Sequence, residues 1–329
     1  MIRTDRIGDV ILTLPMIDTL KQNYPNSRID FLVNKRVSEL ISEYPNINKV
    51  QAIEKDSLRD IRRICKENKY DLAIVVRPLF KIALALFLSG IKYRLGTGYR
   101  WYSFLFNIRH YRHRKFSTKH ELEYNLDLLG ELGCKRPDNI APVLEIEDML
   151  IKEVKNKLGR KGIELSKEFI ILHPGTLGSA KSWKPANFAG LINLIASDKT
   201  CNFNILITGT NSDEPVLNDV VSNIKSADNV YVIDDFSLKE FAGLIKLASL
   251  FVSNSTGPIH IAAAVGTFCV GFYPPVTAES AVRWGPYTER RKIFSPPETS
   301  STNIDAMDSI KREEVFDFIK SFMLNEKLS

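Results

Sequence analysis

Short apolar runs alternate with longer helix-period segments along almost the whole chain, and this alternation limits the fold more than any other feature. Residues 28–33, 50–53 and 71–76 read as buried strands, followed by helix-length segments such as 56–68 and 79–88. A helix at 121–132 carries Leu122, Leu126 and Leu129 on one face. The rhythm resumes with strands at 168–173, 204–208, 229–233, 250–253 and 268–272, separated by helices near 186–197, 214–224, 238–248 and 258–265. Strands that are apolar on both faces and alternate with helices belong to parallel sheets covered on both sides. At 329 residues the chain is too long for one ordinary core. The expected class is therefore α/β: two Rossmann-like, doubly wound parallel-sheet domains facing a cleft, with ligands at the carboxyl ends of the strands. A charged stretch, 145–167, separates the two series, and the expected domains are 1–155 and 156–329. The last helix, about 309–325, has Val315, Phe316, Ile319 and Phe322 on one face and is a candidate to pack back on the N-terminal domain.

Several classes are argued against. No uncharged apolar run reaches the roughly 18 residues of a membrane-spanning helix; the best candidate is residues 82–88, behind Lys81. Asp5 and Asp9 near the start do not fit a secretory signal. The four cysteines, Cys65, Cys134, Cys201 and Cys269, are far apart with no CxxC pair, so neither a disulfide framework nor a zinc site is expected. The default compartment is the cytoplasm. No D-x-D pair stands at a strand end, so no metal and no other cofactor is expected.

The formal charge of +6 has one source. Between residues 91 and 120 lie eight Lys/Arg (Lys92, Arg94, Arg100, Arg109, Arg112, Arg114, Lys115, Lys119), three of the five histidines, eight aromatics and no acidic residue. Such a stretch suits phosphates, an anionic membrane surface or nucleic acid, or is simply a solvated loop.

Four segments carry residue types that call for chemistry. Gly8-Asp9, followed by Leu14-Pro15, stands at a helix start, where Asp9 is either an N-cap or a base for a hydroxyl proton. His173-Pro174-Gly175-Thr176, then Lys181 to Pro185, follows a strand and brings backbone N–H groups, a hydroxyl and an ammonium together, the parts of a phosphate site. Gly209-Thr210 leads to Asp213 and Glu214, placed to bind ribose or merely to favour a helix start. Ser255-Thr256-Gly257-Pro258-Ile259-His260, running into Ala262–Ala264, joins a strand end to a helix whose N-terminus is a ready anion site. A lone histidine is commonly a satisfied core residue, but His260 falls one turn into that helix.

In this order the four segments resemble glycosyltransferase family 9, the lipopolysaccharide heptosyltransferases. The likeness rests on the early Arg…Gly-Asp…Pro element at 3–15, the His-Pro-Gly loop with Lys-x-Trp at 173–185, the segment 209–214 and the Thr-Gly-x-x-His-x-x-Ala-Ala helix at 256–264. A closing Ile310…Glu313…Val315 helix adds to it. The resemblance implies the GT-B fold with the nucleotide-sugar donor, ADP-heptose, on the C-terminal domain and the acceptor on the N-terminal one. It implies Asp9 as general base, Thr176 and Lys181 on the diphosphate, Glu214 at the ribose (with Asp213 or Asn211 as the alternatives), and Ser255, Thr256, Gly257 and His260 at the diphosphate and sugar. The acceptor would be an anionic lipopolysaccharide-core or other lipid-linked saccharide at the inner face of the cytoplasmic membrane. Arg6, Arg94, Arg100, Arg109, Arg112 and Arg114 would attract it, with aromatics stacking on sugars or lying at the headgroups.

The chain departs from the family pattern at three places. Ser255 stands where the family has Asp, Lys184 separates Trp183 from Pro185, and only Met1 and Ile2 precede Arg3. Either the first strand is very short or the native chain begins upstream. Two rival readings follow from the same residues. A hydrolysing epimerase of GT-B architecture would need no sugar acceptor, and a non-catalytic RNA- or polyanion-binding module would show salt-sensitive binding without turnover.

Overall fold

The computed structural model describes residues 1–111, 113, 114, 116–176, 181–225, 228–297 and 304–325. The chain forms two compact units, Met1–Leu144 and Glu145–Ser329. In the first, β1 (Asp30–Asn34) pairs in parallel with β2 (Lys49–Ile53). Separately, β3 (Leu72–Ile74) pairs with β4 (Tyr93–Thr97), and β4 with β5 (Ile108–His110), all parallel. Ile2 lies between the two pieces and bridges Leu32 and Val75. Its N–H donates to the Ile74 carbonyl (2.9 Å) and the next N–H, of Arg3, to the Leu32 carbonyl (3.0 Å). One bridging residue thus stands where a first strand would run, and the chain leaves the sheet after Arg3.

Two strands, β4 and β5, lie inside the basic aromatic segment, where no strand was expected. They lack a long apolar run: β4 alternates exposed Tyr93 with buried Leu95, and in β5 exposed Arg109 lies between half-buried Ile108 and His110. What fixes them is packing. Gly96 in β4 faces the fully buried Phe106, and a Cβ at residue 96 would stand 2.6 Å from that ring.

The second unit is one six-stranded parallel sheet in the order β11-β10-β9-β6-β7-β8, with β6 Phe169–His173, β7 Asn204–Thr208, β8 Val230–Ile233, β9 Leu250–Asn254, β10 Phe268–Phe272 and β11 Arg291–Phe294. The central strands β6, β7 and β9 are buried along their whole length, as their unbroken apolar runs demand. The edge strand β11, with Arg291 and Lys292 exposed, carries no such signal and was not foreseen. Chain direction across the sheet reverses between β6 and β9, where open α/β sheets bind ligands beyond the strand ends.

Two expectations need correction. The charged stretch 145–167 is largely a helix, Asp148–Arg160, with Leu150, Val154 and Leu158 buried at i, i+4 and i+8. It packs on the helix Leu238–Leu247. The division between units therefore falls at 144/145 rather than 155/156. The last helix, Arg312–Asn325, packs on Pro185–Ser197, and Val315, Ile319 and Met323 enter the core of the C-terminal unit. Its apolar face is covered within that unit.

The Gly96 contact yields a test. Gly96→Ala forces the new methyl into the Phe106 ring, and overpacking of this kind costs about 1–3 kcal/mol. The urea midpoint should fall with little change in m.

Candidate active site

In the C-terminal unit, β6 and β9 end side by side, with His173 in register with Ser253. The loop after β6 is anchored by one amide. The Asn254 side-chain oxygen accepts from the Trp183 N–H (2.8 Å), and its nitrogen donates to the Pro174 carbonyl (3.1 Å) and the Trp183 carbonyl (3.3 Å). Trp183 is fully buried, stacks on Phe272 at 4.3 Å and donates from Nε1 to the Ile310 carbonyl (3.0 Å). Thr176 and Lys181, at the two ends of the described parts of the loop, are both half-buried. Lys184, the departure from the family spacing, is the N-cap residue of the helix Pro185–Ser197 and pairs with Asp308.

His173 is buried, and burial pushes its imidazole down to about 4 against the pull of Asp213, so it is neutral at pH 7. Its Nδ1 lies 3.0 Å from the Thr208 hydroxyl, tying the ends of β6 and β7 together. Asp213 is buried and closes a capping box, accepting from the Thr210 N–H (2.9 Å) and hydroxyl (2.7 Å). It also lies against Gly175: a Cβ there would stand 2.5 Å from the carboxylate carbon. Glycine is required so that the loop can approach this acid. Glu214 is exposed in the first turn of Glu214–Ser222. Of the two acids, Asp213 is the one built into the site. The Asn211 side chain lies outside the described residues.

Thr256 is the N-cap residue of the helix Gly257–Ala264 and makes no side-chain cap bond. Its Oγ1 is buried without a hydrogen-bond partner among the described residues, an expensive state for a hydroxyl unless a ligand accepts from it. His260 is buried on the same helix, and Ser255 hydrogen-bonds the buried Tyr273 hydroxyl. Thr256, Gly257 and His260 therefore share one helix start, and Gly175, Thr176 and Asp213 share the neighbouring loops.

In the N-terminal unit, Asp9 is not a cap. Arg6 occupies the N-cap position of the helix Ile7–Ile11, and that helix has no side-chain cap bond. Asp9 is bound instead by Arg3, a guanidinium only 4% exposed. Arg3 also donates to Asp5 (2.7 Å) and faces Glu121 at 3.8 Å. Glu121 is itself buried and held by Arg114, which reaches Asn125 Oδ1 at 3.2 Å. On the other flank, Arg77 approaches Asp5 (3.8 Å) and Asp56 (3.4 Å). Burial pushes the Asp9 carboxyl up to about 6, opposed by Arg3 and reinforced by Asp5 and Glu121.

The other basic residues divide. Arg94 donates to the carbonyls of Leu105 (2.8 Å) and Ile91, so its guanidinium binds this unit's own backbone. Arg109 donates from Nε to the Phe106 carbonyl (2.9 Å) but is exposed, as are Arg6 and Arg100. Arg112 lies outside the described residues. Arg114 belongs to the cluster around Asp9. Sequence reasoning missed Glu121 and Asn254, although both left a signal. Glu121 is the first acid after the basic segment, and Asn254 is an amide ending a fully buried strand.

Two parallel-sheet α/β units, the second with a helix start beside a glycine loop at its strand ends, are the architecture of the GT-B fold class. The family model for glycosyltransferase family 9 (heptosyltransferase) matches residues 58–313, and the chain belongs to that family. A Haemophilus influenzae protein described as a glycosyltransferase is 29% identical over 309 residues, covering 90% of this chain and 88% of the relative. Lipopolysaccharide heptosyltransferase 3 of Escherichia coli K12 is 25% identical over 294 residues, 86% of this chain and 83% of the relative. The structure of E. coli ADP-heptose lps heptosyltransferase II superposes with a TM-score of 0.84 at 20% identity, over 99% of this chain and 98% of that one. The chain is thus a glycosyltransferase, and the epimerase and polyanion-binding readings are set aside.

The Asn254 clamp is testable. Asn254→Ala leaves one N–H and two carbonyls of the loop without their partner, a loss of about 1–3 kcal/mol. Calorimetry should record a lower melting temperature, and titration with ADP a weaker affinity, because the loop bearing Thr176 and Lys181 loses its anchor.

Proposed function

We propose that the protein is an inverting transferase that moves a heptose from ADP-heptose onto a lipopolysaccharide-core or other lipid-linked saccharide. Asp9 takes the proton from the attacking hydroxyl. Lys181, Thr176 and the helix start at Thr256 and Gly257 take up the charge that develops on the diphosphate leaving group. Asp213 holds the ribose side of the nucleotide, with Glu214 at its rim, while Ser255 and His260 meet the donor sugar. Attack from the face opposite the leaving group inverts the anomeric centre. Arg6, Arg100, Arg109 and Arg112 draw in the anionic acceptor, with Arg94 and Arg114 as their inner neighbours. The C-terminal unit is the donor half and the N-terminal unit the acceptor half, working transiently at the inner membrane face. The reading involves no metal or other cofactor and no nucleic acid.

The observation that carries this reading is the setting of Asp9. A carboxyl raised to about 6 is a stronger base than an ordinary aspartate and is still ionised at neutral pH. Arg3 gives it a fixed position at the start of the helix Ile7–Ile11. The donor assignment is supported by the buried hydroxyl of Thr256, unpaired among the described residues, at the positive end of a helix.

Asp9→Asn keeps the shape and the hydrogen bond to Arg3 but removes the base. Single-turnover transfer should slow by roughly 10²–10⁴-fold while the melting temperature and ADP affinity hold. The wild-type rate should fall on the acid side as pH drops through about 6, where Asp9 takes up its proton, and the variant should lack that limb. Transfer at the wild-type rate by Asp9→Asn would remove the carboxylate from the reaction.

Lys181→Ala should weaken donor binding by about 1.5–3 kcal/mol, the worth of a charge-assisted contact, without unfolding the protein. Calorimetric titration with ADP against the wild type measures it directly. An unchanged affinity would take Lys181 out of the diphosphate site.

A further inference from the structure

The helix Phe80–Leu88 is apolar all round, with Lys81 as its one polar side chain. Ile82, Ala83, Ala85 and Leu86 are buried in the core of the N-terminal unit. The opposite stripe is not covered. Phe80, Phe87 and Leu88, at i, i+7 and i+8, are 37%, 49% and 45% exposed, and Leu84 between them is half-buried. A soluble surface helix normally turns polar residues to water, and one that is apolar on both faces is normally covered on both. Trp101, 73% exposed, extends the stripe, its ring 4.8 Å from that of Phe80, and Phe104 is 63% exposed on the same loop.

The chain segment that bears this face is cationic, although the helix Leu58–Asn68 packed beside it carries Asp60 and Glu67. No acidic residue occurs between Asp71 and Glu121. Lys81 lies on the helix itself, Arg94 sits over the Phe87 ring at 5.4 Å, and Lys92 sits over Tyr93 at 5.0 Å. Lys81, Lys92 and Arg100 are exposed. Among the described residues no helix is long and apolar enough to cross a membrane.

We infer that this face docks on an anionic lipid bilayer, with Phe80, Leu84, Phe87, Leu88 and Trp101 entering the boundary between headgroups and acyl chains while Lys81, Lys92 and Arg100 meet lipid phosphates. An amphipathic patch lying in the interface gains from apolar burial, from aromatic anchoring and from each cation near the negative surface. A second copy of the chain is a poorer fit, because a two-fold contact would bring the same cations against one another. The inference deepens the reading of a lipid-linked acceptor. It rests on that reading for its purpose, but its test is independent of sugar transfer.

The test is co-sedimentation of the full chain with vesicles of phosphatidylethanolamine and phosphatidylglycerol, against vesicles of phosphatidylcholine alone. The wild type should bind the anionic vesicles and release as salt rises. Phe87→Ser/Leu88→Ser/Trp101→Ser should weaken that binding about tenfold or more, since exposed apolar side chains give up their burial in lipid. Lys81→Glu/Lys92→Glu should weaken it comparably while leaving the apolar stripe intact. Both variants should keep the wild-type melting temperature and the wild-type rate on a water-soluble saccharide acceptor. That last assay reports on the transferase reading alone, so its failure is distinct from loss of vesicle binding. Absence of wild-type binding to anionic vesicles, or unchanged binding by both variants, would overturn the inference. So would a wild-type dimer in light scattering that the triple serine variant converts to monomer without any vesicle binding, which would assign the face to a second copy.

Discussion

Parallel pairing of β6 with β9 is the contact on which the chemistry of the C-terminal unit depends. The strands are adjacent in the sheet but far apart in sequence, and their pairing in register, from Ile170 with Leu250 to His173 with Ser253, brings two chain ends to one edge. The loop after β6 and the turn after β9 then leave the sheet together. This proximity is what allows Asn254 to hold both ends of the Pro174–Trp183 loop with one side chain. The helix start at Gly257 follows from the same placement, and the pairing of β6 with β7 brings Asp213 against Gly175.

The N-terminal unit solves a different problem, that of burying charge. Arg3 is nearly inaccessible, and an unpaired guanidinium in that position would be untenable. It is met by Asp5, Asp9 and Glu121, and Glu121 is in turn met by Arg114. Burial disfavours the ionised form of Asp9 and the Asp5 and Glu121 carboxylates repel it, so its carboxyl is pushed up to about 6 against the pull of Arg3. The raised basicity is thus a consequence of burial, while Arg3, which follows directly on the bridging Ile2, opposes it and holds the carboxylate in place.

The basic segment, which looked uniform in sequence, separates into distinct jobs once folded. Arg94 braces the backbone, Arg114 joins the Asp9 cluster, and Arg100 and Arg109 remain at the surface. The aromatics divide likewise, with Tyr102 and Phe106 in the core and Trp101 and Phe104 outside it. Composition records the net charge and the ring count, but it does not record which of them face water.

Alternating strands and helices, the class of fold, the four motif segments and the family likeness were legible in the sequence because each is a local pattern: apolar runs, a glycine before an acid, a proline at a helix start. The strands that went unseen, β4, β5 and β11, are short and carry charged residues, and long-range pairing rather than local propensity makes them strands. The helix Asp148–Arg160 was hidden in a charged stretch because its three buried residues matter only once Leu238–Leu247 lies beside them. Asp9 was visible as a candidate, but its partner Arg3, the opposing Glu121 and the rejection of the capping role were not. Sequence thus determined which chemical groups the chain carries and which local structures they favour. Tertiary structure decided which of those groups meet and which are removed from water, because burial and charge pairing depend on distance through space and not along the chain.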